Sequence, residues 1–129
     1  MQNPANLHIW HRALDLAVRI DAVARAIPYG RAPGLASQIR RAAMSIPANI
    51  AEGAGQQSPS QCARFMSIAL GSAFELETHL VLLARLLPTI EPVDSALDET
   101  RQLKRMMHAF REHQRRKVEA TTGSTAKEE

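Results

Sequence analysis

The sequence predicts an all-α fold, an antiparallel up-down-up-down four-helix bundle. Three observations carry this. Apolar residues recur at three- and four-residue steps over four long stretches, with no alternating strand pattern. Breaker segments rich in Pro and Gly separate those stretches at Pro28–Gly34, Gly53–Ser58 and Pro88–Pro92. Ala and Leu are abundant while aromatics are only 4% of the 129 residues, a balance that suits packed helices better than a sheet. A chain of this length builds one domain around one core.

Residues 1–6 read as a flexible N-terminus and 7–117 as the bundle. The first helix spans about 7–26, with Asn6 placed to cap it. Trp10, Ala13, Ala17, Ile20, Ala24 and Ile27 make one apolar stripe. The second spans about 35–53, with Leu35, Ile39, Ala42, Ala43, Ile46 and Ile50 on its main face. Met44, Ala48 and Ala51 form a shallower face, and Pro47 predicts a kink. The third spans about 59–87. It starts at Ser58-Pro59-Ser60-Gln61, with Ser as N-cap, Pro at the first position and Gln at the third. One of its stripes is Phe65, Ala69, Ser72, Leu76, Leu80, Leu83 and Leu87. A second, nearly opposite, is Ala63, Met66, Leu70, Phe74 and Val81. A short chain has no second core to offer that face, so Met66, Leu70, Phe74 and Val81 are candidates for an oligomer interface. The fourth helix spans about 93–117, with Leu97, Leu103, Met107 and Phe110 inward; 118–129 reads as a disordered tail.

Charge and cysteine bound the function. There are 16 Lys and Arg against 13 Asp and Glu, a formal net charge of +3, too mild alone to predict nucleic-acid binding. The single Cys62 allows no intrachain disulfide. The N-terminus lacks the pattern of a secretory signal, and no run of about 18 apolar residues marks a membrane span. The expected location is the cytoplasm, with no membrane partner.

No catalytic constellation emerges. A di-metal carboxylate bundle needs Glu-x-x-His on two helices, and the chain contains none. His8-x-x-His11, His108 and His113 lack complementary ligands. Gly53-Ala54-Gly55 lacks the Lys and the strand of a phosphate loop. No metal, cofactor or enzymatic activity is expected. Gln38, Arg41, Ser45, Asn49 and Glu52 form a polar line on the second helix, and Glu75 and Glu77 lie on the third. Their expected role is structural: hydrogen bonds and ion pairs to the third helix, a loop or a neighbouring subunit. Arg41 and Glu52 are about 16 Å apart along a straight axis and cannot pair with each other. The fourth helix is acidic early and basic late. Lys104, Arg105, Arg111, Arg115, Arg116 and Lys117 suit the helix dipole and are the candidate phosphate contacts for RNA or DNA. Phe110, the aromatic among them, is assigned to the core, so base stacking is not indicated.

The middle of the chain also resembles a known family. The residues that carry this are Trp10 and Ala13; Leu35, Gln38 and Arg40-Arg41-Ala42-Ala43; Ser45-Ile46-Pro47 and Asn49-Ile50-Ala51-Glu52-Gly53; then Arg64-Phe65, Ile68-Ala69, Gly71-Ser72 and Glu75-Leu76-Glu77-Thr78. In this order they look like the bacterial four-helix-bundle family encoded in intervening sequences of large-subunit ribosomal RNA genes. That family also includes the accessory variability determinant proteins of diversity-generating retroelements. The resemblance covers about residues 7–87. It implies a homopentameric barrel of four-helix protomers. For the retroelement members it implies binding of nucleic acid and of a reverse transcriptase through a basic surface. Two readings follow: an oligomeric, non-enzymatic, nucleic-acid-associated scaffold, or a protein-only adaptor that docks a partner such as a reverse transcriptase.

Overall fold

A computed structural model of the chain describes residues 2–90 and 92–128. Met1, Glu91 and Glu129, which the sequence places in the lead-in, a breaker and the tail, lie outside the described residues. Within the described residues there are four α-helices and no strand: α1 His8–Ala26, α2 Leu35–Ala54, α3 Pro59–Leu86 and α4 Pro92–Glu128. Each helix packs on its neighbours in chain order, and α4 closes the ring against α1; the diagonal pairs make no close backbone approach. Side-chain contacts fix the directions. Arg12 meets Glu99 and Gln102 while Arg19 meets Ser95, so α1 and α4 run opposite ways. Ser45 meets Ser72, and Gly53 lies against Cys62 and Met66, so α2 and α3 do too. Glu77 meets Arg101 and Lys104 while Ser67 meets Arg111, giving the same result for α3 and α4.

The helix ends follow local chemistry, with three departures from expectation. The Ser58 hydroxyl accepts the Gln61 N–H at 3.2 Å and Pro59 opens α3, as the start signal predicts. The cap of α1 is Leu7, not Asn6. Asn6 is taken up in a 3-10 turn, Pro4–Asn6, that Asn3 caps through Ala5 N–H. That turn is tied down by Gln2 N–H donating to Ala54 O at 2.7 Å, so the lead-in is attached to the end of α2. Finally, α4 continues through 118–128, where the composition suggests a disordered tail. No Pro or Gly interrupts it before Gly123, and Thr121 Oγ1 donates back to Lys117 O at 2.9 Å.

The core runs the length of the bundle. Leu16 and Ile20 of α1, Ile39, Ile46 and Ile50 of α2, Leu76, Leu80 and Leu83 of α3, and Leu103 and Met107 of α4 are fully enclosed. Pro47 is buried within α2, which continues past it to Ala54. Gly53 marks the closest approach of α2 to α3. A Cβ there would sit 3.1 Å from Phe65 Cβ and 3.3 Å from the Cys62 carbonyl oxygen. By length and mean hydropathy α3 is apolar enough to cross a membrane, a property the residue runs do not reveal. Its central leucines, Leu76, Leu80 and Leu83, are the ones that fill this core.

The second apolar stripe of α3 needs correction. Met66 is fully enclosed and Leu70 is buried, while Val81 is half-buried against the same core. The reason is geometric: α3 contacts both α2 and α4, so each of its stripes meets a helix of its own chain. Of the four interface candidates only Phe74, 57% exposed, faces solvent. The large apolar side chains left exposed lie elsewhere. Leu14, Val18 and Met44 cluster on the outer side of α1 and α2, and Ile68, Leu82 and Leu86 follow the outer side of α3.

Candidate nucleic-acid interface along the third and fourth helices

The seam between α3 and α4 is organised by Glu77. Its two carboxylate oxygens accept from Lys104 Nζ at 3.0 Å and from Arg101 Nε at 3.1 Å. Burial works to raise the Glu77 pKa, but hydrogen bonds from Lys104 and Arg101 outweigh it and hold the carboxyl below the usual carboxylate range. Lys104, with only 16% of its side chain exposed, also lies 4.1 Å from the Phe74 ring centroid. That is a cation–π distance. One carboxylate therefore fixes a lysine, and the lysine covers part of the most exposed phenylalanine.

Beyond Lys104 the seam opens into a groove of about 500 Å³ lined by Leu70, Phe74, Lys104, Arg105, His108 and Arg111. Arg111 lies along it and donates Nη1 to Ser67 Oγ at 3.3 Å. Its enclosed Nε comes within 3.4 Å of Glu112 Oε1, an ion-pair distance without the geometry of a hydrogen bond. Arg111 Nη2 lies 3.1 Å from His108 Nδ1. Toward the start of α3 a second groove continues the seam, with Arg64 and Arg115 on its two sides.

The structure separates the six basic candidates. Lys104 is paired with Glu77, and Arg111 and Arg115 both meet Glu112, so a single carboxylate serves two guanidinium groups. Arg105, Arg116 and Lys117 are exposed and have no ion-pair partner among the described residues. Lys117 points away from the groove; it lines a small polar cavity with Gln114 and Cys62. Burial pushes the Cys62 thiol up, with Lys117 opposing, so burial favours the neutral thiol. Arg64, on α3, is an exposed cation beside the seam that periodicity within α4 does not reveal.

The polar line of α2 also divides. Asn49 donates to Ser45 O at 2.8 Å and to Ser45 Oγ at 3.0 Å, and Ser45 Oγ is 2.8 Å from Ser72 Oγ. These three form a structural bridge from α2 to α3. Gln38 is half-buried beside Leu82 and Leu86. Arg41 and Glu52 are exposed, and neither side chain meets an ion-pair partner among the described residues of the protomer. Glu75 lies 3.5 Å from His79 one turn along α3. No three His, Cys, Asp or Glu side chains gather as a metal site among the described residues.

Fold and seam together define a four-helix-bundle protein with a cationic groove between its third and fourth helices. The family model of the 23S rRNA-intervening sequence protein matches residues 5–109, and the chain belongs to that family. Its structure is similar to the crystal structure of a protein of unknown function from the S23 ribosomal protein family of Bacteroides thetaiotaomicron. The TM-score is 0.71 and the identity 28%, covering 78% of this chain and 95% of that one. No curated protein matches the chain.

Glu77 gives the seam a pH dependence of known sign. Its folded pKa lies below its unfolded value, so its contribution is complete at neutral pH and is lost as pH falls through the folded pKa. Replacing Glu77 with Gln should cost about 1 kcal/mol at pH 7, since Lys104 and Arg101 lose their shared acceptor. The difference from wild type, followed by urea denaturation, should start to shrink as pH falls through the ordinary glutamate range of about 4.3 and close only below the lower folded pKa.

Proposed function

We propose that this protein is a non-enzymatic, oligomeric scaffold that associates with nucleic acid through the basic seam of α3 and α4. The observation that carries this reading is the concentration of Arg64, Arg105, Arg111 and Arg115 along two adjoining grooves of the seam, with Arg116 exposed next in the chain and Glu112 and Glu119 the acidic residues near the far end. Phosphate contacts of this kind bind with little sequence preference and release counterions. The protein acts in the cytoplasm, where such ligands are abundant.

Self-association belongs to the same proposal. A ring of identical subunits joins two different patches of each protomer, and the bundle carries two exposed apolar patches: Leu14, Val18 and Met44 beside α1 and α2, and Leu82 and Leu86 beside α2 and α3. Exposed Arg41 and Glu52 lie on the intervening α2 surface, where a neighbour supplies their counter-charges. In this proposal the homopentamer implied by the family resemblance is built by joining these two patches head to tail. It leaves the α3–α4 seam open, repeated once per subunit. The same apolar patches favour a second reading, an adaptor that docks a protein such as a reverse transcriptase without touching nucleic acid.

Titration of labelled RNA and DNA at two salt concentrations separates the readings. Wild type should bind at low salt and weaken steeply as salt rises, and Arg105→Glu with Arg116→Glu should abolish binding while the thermal midpoint stays within a few degrees. Absence of binding at low salt sinks the nucleic-acid reading. For the assembly, light scattering of Met44→Glu with Leu82→Glu should give a smaller mass than wild type; an unchanged oligomer would place the interface elsewhere.

A further inference from the structure

Phe74 is badly placed for an ordinary surface residue. Its ring is 57% exposed, yet its neighbours in the groove are Lys104, Arg105, His108 and Arg111 rather than other exposed apolar side chains. One part of the ring is held under Lys104 Nζ, and Lys104 is itself fixed by Glu77. The ring is thus an apolar plate set among cations, with its remaining surface open to solvent. An apolar protein side chain docking there would have to strip water from Arg105 and His108 without compensating them. A nucleotide matches both halves of the site: its base offers a flat π-face to the ring, and its phosphate offers an acceptor to the guanidinium groups.

We propose that Phe74 is a stacking platform for an unpaired base, so that the α3–α4 seam takes single-stranded rather than double-stranded nucleic acid. The proposal rests on the nucleic-acid reading above and narrows its ligand class. In a duplex the faces of the bases are covered by their neighbours, so a ring lying in a groove reaches only the sugar–phosphate backbone. In a single strand every base has an accessible face. The seam has the length for such a strand: Arg64 to Phe74 spans about 15 Å of helix axis, with Arg115 and Arg111 on the opposite wall. Base stacking is invisible along α4, where Phe110 packs partly against the core. The antiparallel register brings the stacking ring in from α3.

The test compares Phe74→Leu, Phe74→Tyr and Arg105→Gln with wild type. Anisotropy titrations use a short unstructured RNA, the matching DNA and a duplex of the same sequence, each at several salt concentrations. Phe74→Leu should weaken single-strand binding about tenfold, leave the duplex unaffected and keep the salt slope. Phe74→Tyr should bind as wild type. Arg105→Gln should weaken both forms and lower the slope by about one. Comparing the RNA and DNA arms identifies which strand the site prefers. If Phe74→Leu binds single strands as wild type while Arg105→Gln does not, stacking is wrong and a phosphate-only surface remains. Equal losses for duplex and single strand also overturn it, as does a smaller mass of Phe74→Leu in light scattering, which would make the ring a protein contact. If wild type binds no nucleic acid at low salt, this inference falls together with the reading beneath it.

Discussion

Glu77 holds Lys104 and Arg101 of α4 from its position on α3, and the character of the whole seam depends on that arrangement. The carboxylate is shielded enough that burial opposes its charge, and the hydrogen bonds from both cations outweigh that cost. With Lys104 drawn inward, the cations of α4 left exposed and without an ion-pair partner among the described residues are Arg105, Arg116 and Lys117. The same lysine lies over Phe74. The two ion pairs of Glu77 thereby pin α4 to α3 alongside the packing of Leu103 and Met107, and they separate Lys104 from the unpaired cations of the helix.

The third helix explains why self-association cannot be read from amphipathicity alone. A helix apolar on two sides in a short chain suggests a neighbouring subunit, yet in a closed ring of four helices every helix has two neighbours. Met66 and Leu70 face one of those neighbours inside the protomer and are enclosed. The unused apolar surface is instead on the outward arcs, at Met44 and Val18 and at Leu82 and Leu86. Those arcs are hard to see in sequence, because Leu82 and Leu86 stand beside the core residues Leu83 and Leu87 and Met44 stands beside the buried Ala43.

Local chemistry was therefore the legible part. Breakers, the Ser58 cap and the main stripes of α2 and α3 follow from the periodicity of a single helix, which depends on neighbours three and four residues away. What could not be read is whatever depends on register between helices. Lys104 finds Glu77 twenty-seven positions away, and Phe74 enters a cluster of charges from a different helix. The extension of α4 beyond Lys117 was hidden differently: a polar, charge-rich segment looks like a tail, but residues such as Val118, Glu119 and Ala120 contain no breaker and carry on the turn already formed. At the other end, Pro4 and Asn3 fold a short turn whose anchor, Ala54, lies fifty residues on.

The central claim is that the α3–α4 seam, and not the apolar arcs, meets the ligand. Hydrogen–deuterium exchange with and without a short single-stranded RNA at low ionic strength tests it directly. Protection should concentrate in residues 64–78 and 104–116, with 14–18 and 41–52 unchanged by the ligand. Protection confined to α1 and α2, with the seam exchanging as in the free protein, would contradict the account.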